Sequence, residues 1–328
     1  MTSVLITGAS GNLGKCLVRD CMRAGLKVFA VVRSTVPDEW AGDTDITVIK
    51  ADLSDASCIE ALVPHLAKTS HIIHAASAMS NNVETLKKDT RRATENLLTA
   101  TTKAIEHVSL KPGFFLISSV AVYDHRGASG LLTVDPSSAV DPEPARRGHY
   151  ARFKCLQEEQ CAAFSQQAGV PLRIVRVGIL TQSSLAWVSR MGFRAGAFNI
   201  LIGANDPIQV LSVDTAAQQI IADIQSGPTQ PNSAPEAHDL AARTVNIVAH
   251  PPTTKAKLHA QLPHQDQEKP TLTVSWPVFR ACLSVWSALA GVLLVLSINI
   301  PGSLRPAELN ARFRPVIYKT TASHRDLV

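Results

Sequence analysis

The sequence predicts an α/β fold, a doubly wound parallel sheet with a smaller C-terminal lobe. Three observations predict it. Apolar strand patterns alternate with helix patterns through the first 180 residues. Glycines stand at positions 8, 11 and 14, between the first strand and the first helix. An apolar strand, Phe114 to Ile117, ends in two hydroxyls, Ser118 and Ser119.

The elements follow in order. Strands are expected at 3–7, 27–32, 46–50, 71–75, 113–118 and 172–177, and helices at 12–24, 55–67, 83–107 and 148–168. The first helix carries apolar residues at Cys16, Leu17, Val18, Cys21 and Met22. Alternation of this kind argues for parallel strands joined by right-handed crossovers. Residues 124–147, rich in Gly, Ser, Pro and charge, read as an ordered loop over the site. Beyond 180 the alternation weakens. Residues 226–237, with three prolines, read as an exposed loop. The run TVNIVA, 244–249, reads as a late strand of the same sheet, and residues 251–270 are polar and contain proline. No internal repeat is found. Residues 1–180 then form a dinucleotide-binding domain, and 181–328 a substrate lobe with an apolar helix at 278–300.

Composition sets bounds. The 328 residues are 45% apolar and 18% charged, with net charge +5, as in a globular chain with ample core. No basic run interleaves with aromatics, so nucleic acid is not expected. The six cysteines form no CxxC and mostly sit in apolar patterns, which reads as reduced, buried thiols. No metal site is expected. The N-terminus opens directly on a strand, so no signal peptide is expected.

Two constellations carry chemistry. Gly8 permits a tight turn, Gly11 lets backbone approach a pyrophosphate, and Gly14 lets the helix lie on the strand. The helix N-terminus then offers free N–H groups to the phosphates. Tyr150 and Lys154, four apart, share a helix face. A nearby ammonium would lower the phenol pKa and let Tyr150 exchange a proton near neutral pH.

With Thr7 to Gly14 as TGxxGxxG, the Ser118-Ser119 strand end and Tyr150-xxx-Lys154 in place, the chain resembles an extended short-chain dehydrogenase/reductase. That is the class of the epimerase/dehydratase family and of 3β-hydroxysteroid dehydrogenases. Asp52-Leu53, His74-Ala75-Ala76, Ala93 to Leu97, residues 172–180, residues 203–216 and the tail from Val316 agree with it. The resemblance implies a Rossmann fold and a nicotinamide cofactor. Its cofactor contacts would be Gly8, Ser10, Gly11, Asn12, Leu13, Gly14, Asp52, Leu53, Ala75, Ala76 and Val177, together with Tyr150 and Lys154. It implies Tyr150 as acid/base, Lys154 on the nicotinamide ribose, and Ser119 on the substrate oxygen, with Ser118 as the alternative register. It also implies a homodimer through helices that include the one bearing Tyr150. Three positions depart from the pattern: Thr90 where Asn is usual, Phe153 where Ser is frequent, and Gly178 to Gln182 in place of Asn-Val-Tyr-Gly-Pro.

Val32, Arg33 and Ser34 stand where members that prefer NAD carry an acid. With none there, Arg33 and Ser34 can hold a 2′-phosphate, so NADP is favoured over NAD. In the alternative, Arg33 stacks on adenine or faces water. Residues 185–202, with Trp187, Met191, Phe193 and Phe198, either line an apolar substrate pocket or pack the lobe's own core. Arg190 and Arg194, at i,i+4, either clamp a diphosphate or form a solvated helix face. Ala281 to Ile300 holds twenty uncharged residues. It reads first as a lobe helix, with a membrane-surface helix and a membrane span as alternatives. The location expected is cytoplasmic, with membrane association kept open.

Three functions remain at this stage. The first is an NADP-dependent oxidoreductase acting on a lipophilic secondary alcohol or ketone. The second is a sugar-nucleotide epimerase or dehydratase holding NAD tightly. The third is a dinucleotide sensor without catalysis, against which the intact Ser119, Tyr150 and Lys154 speak.

Overall fold

Seven parallel strands form the central sheet: β1 (Ser3–Thr7), β2 (Lys27–Val32), β3 (Ile46–Lys50), β4 (His71–His74), β5 (Gly113–Ser119), β6 (Leu172–Val177) and β7 (Thr244–Ile247). Their order is β3-β2-β1-β4-β5-β6-β7, so the winding reverses between β1 and β4. Ligands of open α/β sheets sit at such a reversal, beyond the carboxyl ends of the strands. The computed structural model describes residues 2–80, 82–106, 108, 110–127, 130–182, 185–226, 243–267, 269–296, 298 and 300–320. Most of the proline-rich loop expected at 226–237 lies outside these residues, as do Ser297, Asn299 and the end of the tail.

Helices cover both faces of the sheet. On one face lie α1 (Asn12–Arg23) and α5 (Val213–Ser226), on the other α2 (Cys58–Leu66), α3 (Ala93–Ile105) and α4 (His149–Ala168). Leu17, Val18 and Cys21 of α1 pack with Ala216, Ala217, Ile220 and Ile224 of α5 over β1, β6 and β7. Leu62, Leu97, Cys161 and Phe164 pack over Leu5, Ile72, Phe114 and Ile174 on the opposite side. Strand residues are therefore buried on both faces, which is why β1, β2 and β5 read as apolar runs rather than as alternating patterns. The late strand is β7, which pairs in parallel with β6 from Thr244↔Ile174 to Ile247↔Val177. The chain thus returns twice to the dinucleotide-binding body after residue 180, as α5 and as β7.

The long helix expected at 83–107 forms with one irregularity: Val83–Leu86 passes through a π-helical turn, Lys87–Arg92, into α3, and Leu86, Lys87, Arg92 and Ala93 at the junctions all keep helical backbone angles. That turn buries Thr90 and swings Asp89 toward the cleft. The smaller lobe holds a three-stranded sheet from Gly192–Ala195, Phe198–Ile202 and Thr271–Val274. Against it pack α6 (Trp276–Val295) and α7 (Pro306–Phe313). The tail folds back as Val316–Tyr318 and pairs with Leu132–Val134, inside the loop expected over the site. Five of the cysteines fit the expectation of covered thiols, but Cys282 is exposed on α6.

Candidate active site

The glycine turn is built as its spacing requires. Gly8 has φ +68°, and a Cβ there would come within 2.9 Å of the Ala76 backbone. Gly8 therefore also lets the end of β1 approach the segment that follows β4. A Cβ on Gly14 would stand 2.1 Å from the Gly8 carbonyl oxygen. Gly11 caps α1 with no side chain on the first N–H groups, so these remain open to an anion. From this turn a cleft of about 330 Å³ runs past Ser10, Val31, Leu53 and Ala76 to Arg33. Its open helix end and its course from the glycine turn to Arg33 fit a dinucleotide.

At the far end of the cleft the surroundings of Arg33 differ from the sequence expectation. The end of β2 carries no acid, but the fold brings two from elsewhere. Arg33 lies 3.1 Å from Asp89 and 3.8 Å from Asp52. Burial works to raise the Asp52 pKa, but two hydrogen bonds from Ser54, with Arg33 and Lys88, outweigh it and hold it below its usual value. Arg33 is 57% exposed, so these pairs are weak and leave its guanidinium available.

Ser119 and Tyr150 meet at the carboxyl end of β5, and Lys154 reaches the same strand at Ile117. The first turn of α4 carries Tyr150, whose phenol lies beside Ser119. Burial raises the phenol above its ordinary value near 10, and the neighbouring Ser119 hydroxyl offsets part of this. This corrects the expectation that Lys154 lowers it. Lys154 is buried and turned the other way, donating to Ile117 O at 2.8 Å and Gln157 Oε1 at 2.9 Å. Burial pushes its ammonium down to about 8.

Gln157 is a residue that the motifs did not flag. Its Nε2 donates to His74 Nε2 at 3.0 Å and to Thr94 Oγ1 at 2.9 Å. His74 Nδ1 lies 2.7 Å from Thr7 Oγ1. One buried polar chain therefore runs from the end of β1 through β4 to the lysine of α4. The i,i+3 spacing of Lys154 and Gln157 was the available signal. Thr90, at the position where Asn is usual, accepts the Ala78 N–H at 3.1 Å and so serves the loop after β4.

The two serines separate cleanly. Ser118 is buried and donates to Glu158 at 2.5 Å. Glu158 also accepts a bidentate pair from Arg176 at 3.0 and 2.8 Å. The Arg176 guanidinium lies 4.5 Å from the centre of the Tyr123 ring. Ser118 thus belongs to a structural knot, and Ser119 is the hydroxyl that faces Tyr150.

Comparison with known proteins agrees with this geometry. Residues 4–180, more than half of the chain, match the NAD dependent epimerase/dehydratase family. The chain belongs to that family. It is an NAD(P)-dependent enzyme of the extended short-chain dehydrogenase/reductase class. Over 168 residues it is 26% identical to a sterol-4-alpha-carboxylate 3-dehydrogenase, decarboxylating, of Dictyostelium discoideum. That match spans 48% of this chain and 47% of the relative, so the chain spans about half the length of the relative it matches. Among solved structures, the terminal R domain of the myxalamid PKS-NRPS pathway superposes with TM-score 0.66 and 15% identity, over 99% of this chain and 84% of that one. UDP-glucuronic acid 4-epimerase from Bacillus cereus, in complex with NAD, gives TM-score 0.60 and 15% identity over 95% and 98%. Both show the fold.

Of the two readings of residues 185–202, packing of the lobe's own core holds for Trp187, Met191 and Phe193, while Phe198 is exposed. Met191 is fully buried with Leu201, Ile208 and Leu258, and Trp187 packs beside them. Phe193 joins Phe279 and Phe313. Arg190 and Arg194 are not on a helix. Arg190 precedes the strand Gly192–Ala195, and Arg194 lies within it, so no i,i+4 clamp forms. The narrow cavity beside them is basic, lined by Arg190, Lys255, Arg312 and Arg314 with Gly178 and Tyr318.

The polar chain makes stability sensitive to acid. Burial, with Lys154 nearby, pushes the His74 pKa down to about 3 from 6.5. Below pH 6.5 the unfolded chain takes up a proton that the folded one refuses, so stability falls as pH drops from about 6.5 toward 3. The loss approaches ~1.4 kcal/mol per pH unit for this one group. Urea unfolding between pH 7 and 4.5 should show that slope, and His74→Gln should flatten it by that amount.

Proposed function

We propose that the chain is an NADP(H)-dependent oxidoreductase that interconverts a secondary alcohol and a ketone on a lipophilic molecule. The observation that carries this reading is the meeting of Ser119 with Tyr150, beside buried Lys154, at the end of β5. When bound, the nicotinamide dinucleotide supplies or accepts the hydride. Gly8, Ser10, Gly11, Asn12, Leu13 and Gly14 would hold its pyrophosphate. Asp52 and Leu53 would flank the adenine, Arg33 and Ser34 a 2′-phosphate, and Ala75, Ala76 and Val177 the path to the nicotinamide.

The phenol of Tyr150 keeps its proton at neutral pH because burial raises its pKa. It is therefore set to donate that proton to a carbonyl oxygen, which favours reduction. Ser119 holds the same oxygen while charge develops on it. Lys154 keeps a positive charge behind the site at pH 7, tied in place by Ile117 and Gln157. The name of the Dictyostelium relative supports an alcohol on a lipophilic skeleton. A second reading, a sugar-nucleotide epimerase with tightly held NAD, draws support from the basic cavity and would show as NAD that co-purifies.

The partner proposed for α6 is a membrane surface. Trp276, Phe279, Leu283 and Trp286, in the first half of this ~30 Å helix, pack against Phe193, Leu309 and Phe313. A helix fastened to the body in this way suits a position in the plane of a bilayer rather than across it. Its other sides carry Val278, Val285, Leu289, Val292, Leu294 and Val295, all exposed, with Val295 at 84%. Single exposed apolar residues are ordinary, but a continuous face of this size is not. Every charge from Lys269 to Arg305 is positive: Lys269, Arg280 and Arg305. A lipid surface with anionic headgroups matches both properties.

Three outcomes test these readings. Tyr150→Phe should cut turnover by more than a hundredfold in a steady-state ketone-reduction assay while the Kd for NADPH stays within threefold; unchanged turnover would remove Tyr150 from the chemistry. Wild-type protein should gain more thermal stability from NADPH than from NADH, and Arg33→Ala should weaken NADPH at least tenfold and NADH little. An NADH preference in the wild type overturns the NADP assignment. In flotation assays the protein should rise with phosphatidylcholine/phosphatidylglycerol vesicles, and Val285→Glu/Val292→Glu should stay behind. A lipid-free dimer broken by the same pair would assign the face to a second copy instead.

A further inference from the structure

We infer that Asp89, on the π-helical turn before α3, is a specificity-determining residue for the cofactor: it competes with the 2′-phosphate for Arg33 and so sets how strongly the chain prefers NADPH over NADH. This rests on the dinucleotide reading above and deepens it. Asp89 belongs to none of the motifs that marked the site in the sequence. It lines the cleft together with Arg33, Ser10 and Ser54, and its Oδ2 lies 3.1 Å from Arg33 Nη2. The guanidinium that would hold the 2′-phosphate is therefore already paired with an acid of the same cleft.

The two partners differ in freedom. Arg33 sits on the bend after β2, and its side chain is 57% exposed. The side chain of Asp89 is 16% exposed, and the turn that carries it is pinned. Thr90, the next residue, is fully buried. Its Oγ1 accepts the Ala78 N–H at 3.1 Å, and its carbonyl accepts from Thr94 Oγ1 at 2.7 Å. Thr94 in turn accepts from Gln157. Turns of the π type recur at functional sites, and here the residue before the buried threonine becomes part of the cleft wall. When a phosphate arrives, the guanidinium can turn toward it, while the carboxylate stays where the turn holds it.

Asp52 is less suited to this part. Its Oδ1 accepts from the Ser54 N–H at 2.9 Å and the Ser54 hydroxyl at 2.7 Å. Lys88 Nζ stands 4.0 Å from its Oδ2, and Arg33 Nε is 3.8 Å away. Asp89 has fewer ties. Its Oδ1 is buried without a hydrogen-bond partner, and among the described residues Arg33 is the only cation within 4.0 Å of it. Its charge is therefore compensated by Arg33 alone.

The two cofactors meet this arrangement differently. With NADH the Arg33–Asp89 pair persists. With NADPH the guanidinium turns to a group of about two negative charges and three acceptor oxygens, a stronger partner than one carboxylate. Asp89 then loses its counter-ion and faces a second anion, and both effects work against the phosphate. Specificity is a difference of affinities, and a repulsive group shapes it as much as an attractive one. Arg33 creates the preference for NADPH, and Asp89 trims it. The pair is partly exposed, so its influence falls as salt rises.

The test is direct binding of NADPH and NADH to the full chain, measured by calorimetry at low and at high salt. Asp89→Asn keeps the shape of the side chain and removes its charge. It should tighten NADPH at least fivefold and leave NADH within twofold, with the gain shrinking at high salt. Asp89→Glu, which keeps the charge, should hold the ratio of the two constants within threefold of wild type. An unchanged ratio in Asp89→Asn overturns the proposal. So does weakened NADH with NADPH unmoved, because Asp89 would then be accepting a ribose hydroxyl. Asp89→Ser repeats the measurement should the asparagine variant fail to fold. A wild type that prefers NADH would count against the NADP assignment, whereas a selective gain for NADPH in Asp89→Asn would still uphold the role of Asp89.

Discussion

Gln157 ties the two halves of the active site together. Its amide oxygen holds the Lys154 ammonium, and its amide nitrogen reaches His74 and Thr94. Through His74 the bond continues to Thr7, the last residue before the glycine turn. Every member of this chain is buried, so each donor left unpaired would cost ~1–3 kcal/mol. The turn that would cradle phosphates and the helix that carries Tyr150 are therefore fixed relative to each other by buried side chains.

A second knot sits one strand further along. Glu158 accepts from Ser118 and Arg176, and Arg176 covers Tyr123. Tyr123 in turn donates to Asn246 of β7 at 2.7 Å. Breaking one partner of such a buried pair costs ~3–5 kcal/mol. The knot anchors the loop after Ser119 and joins β5, β6, β7 and α4. With Ser118 held inside, the next residue along the strand is left to face Tyr150. Alternation along a strand, and not proximity in sequence, separates the structural serine from the site serine.

The two lobes present different chemistry. The dinucleotide body offers an open helix end and a cleft with nearly balanced charge, since Arg33 and Lys88 stand against Asp52 and Asp89. The smaller lobe offers unbalanced positive charge in a narrow cavity and an exposed apolar helix on its outside. Arg312 links these two features, because it lines the cavity while its guanidinium lies over Phe193 and Phe313, the rings against which α6 packs.

The sequence by itself determined the sheet, its strands and the glycine turn. Both faces of the sheet are covered, so β1, β2 and β5 stand out as apolar runs, and the turn leaves a mark of glycines at a spacing few other structures need. It also determined the Tyr150 and Lys154 pair, because a helix fixes what lies four residues apart. Only the tertiary structure decided which serine faces the site, what Lys154 touches, which acids surround Arg33, and that Trp187, Met191 and Phe193 pack a core while Arg190 meets Lys255, Arg312 and Arg314. These outcomes join positions tens to more than a hundred residues apart. Local periodicity reports which face of its own element a residue occupies, but not which side chains from distant elements will share its space or cancel its charge.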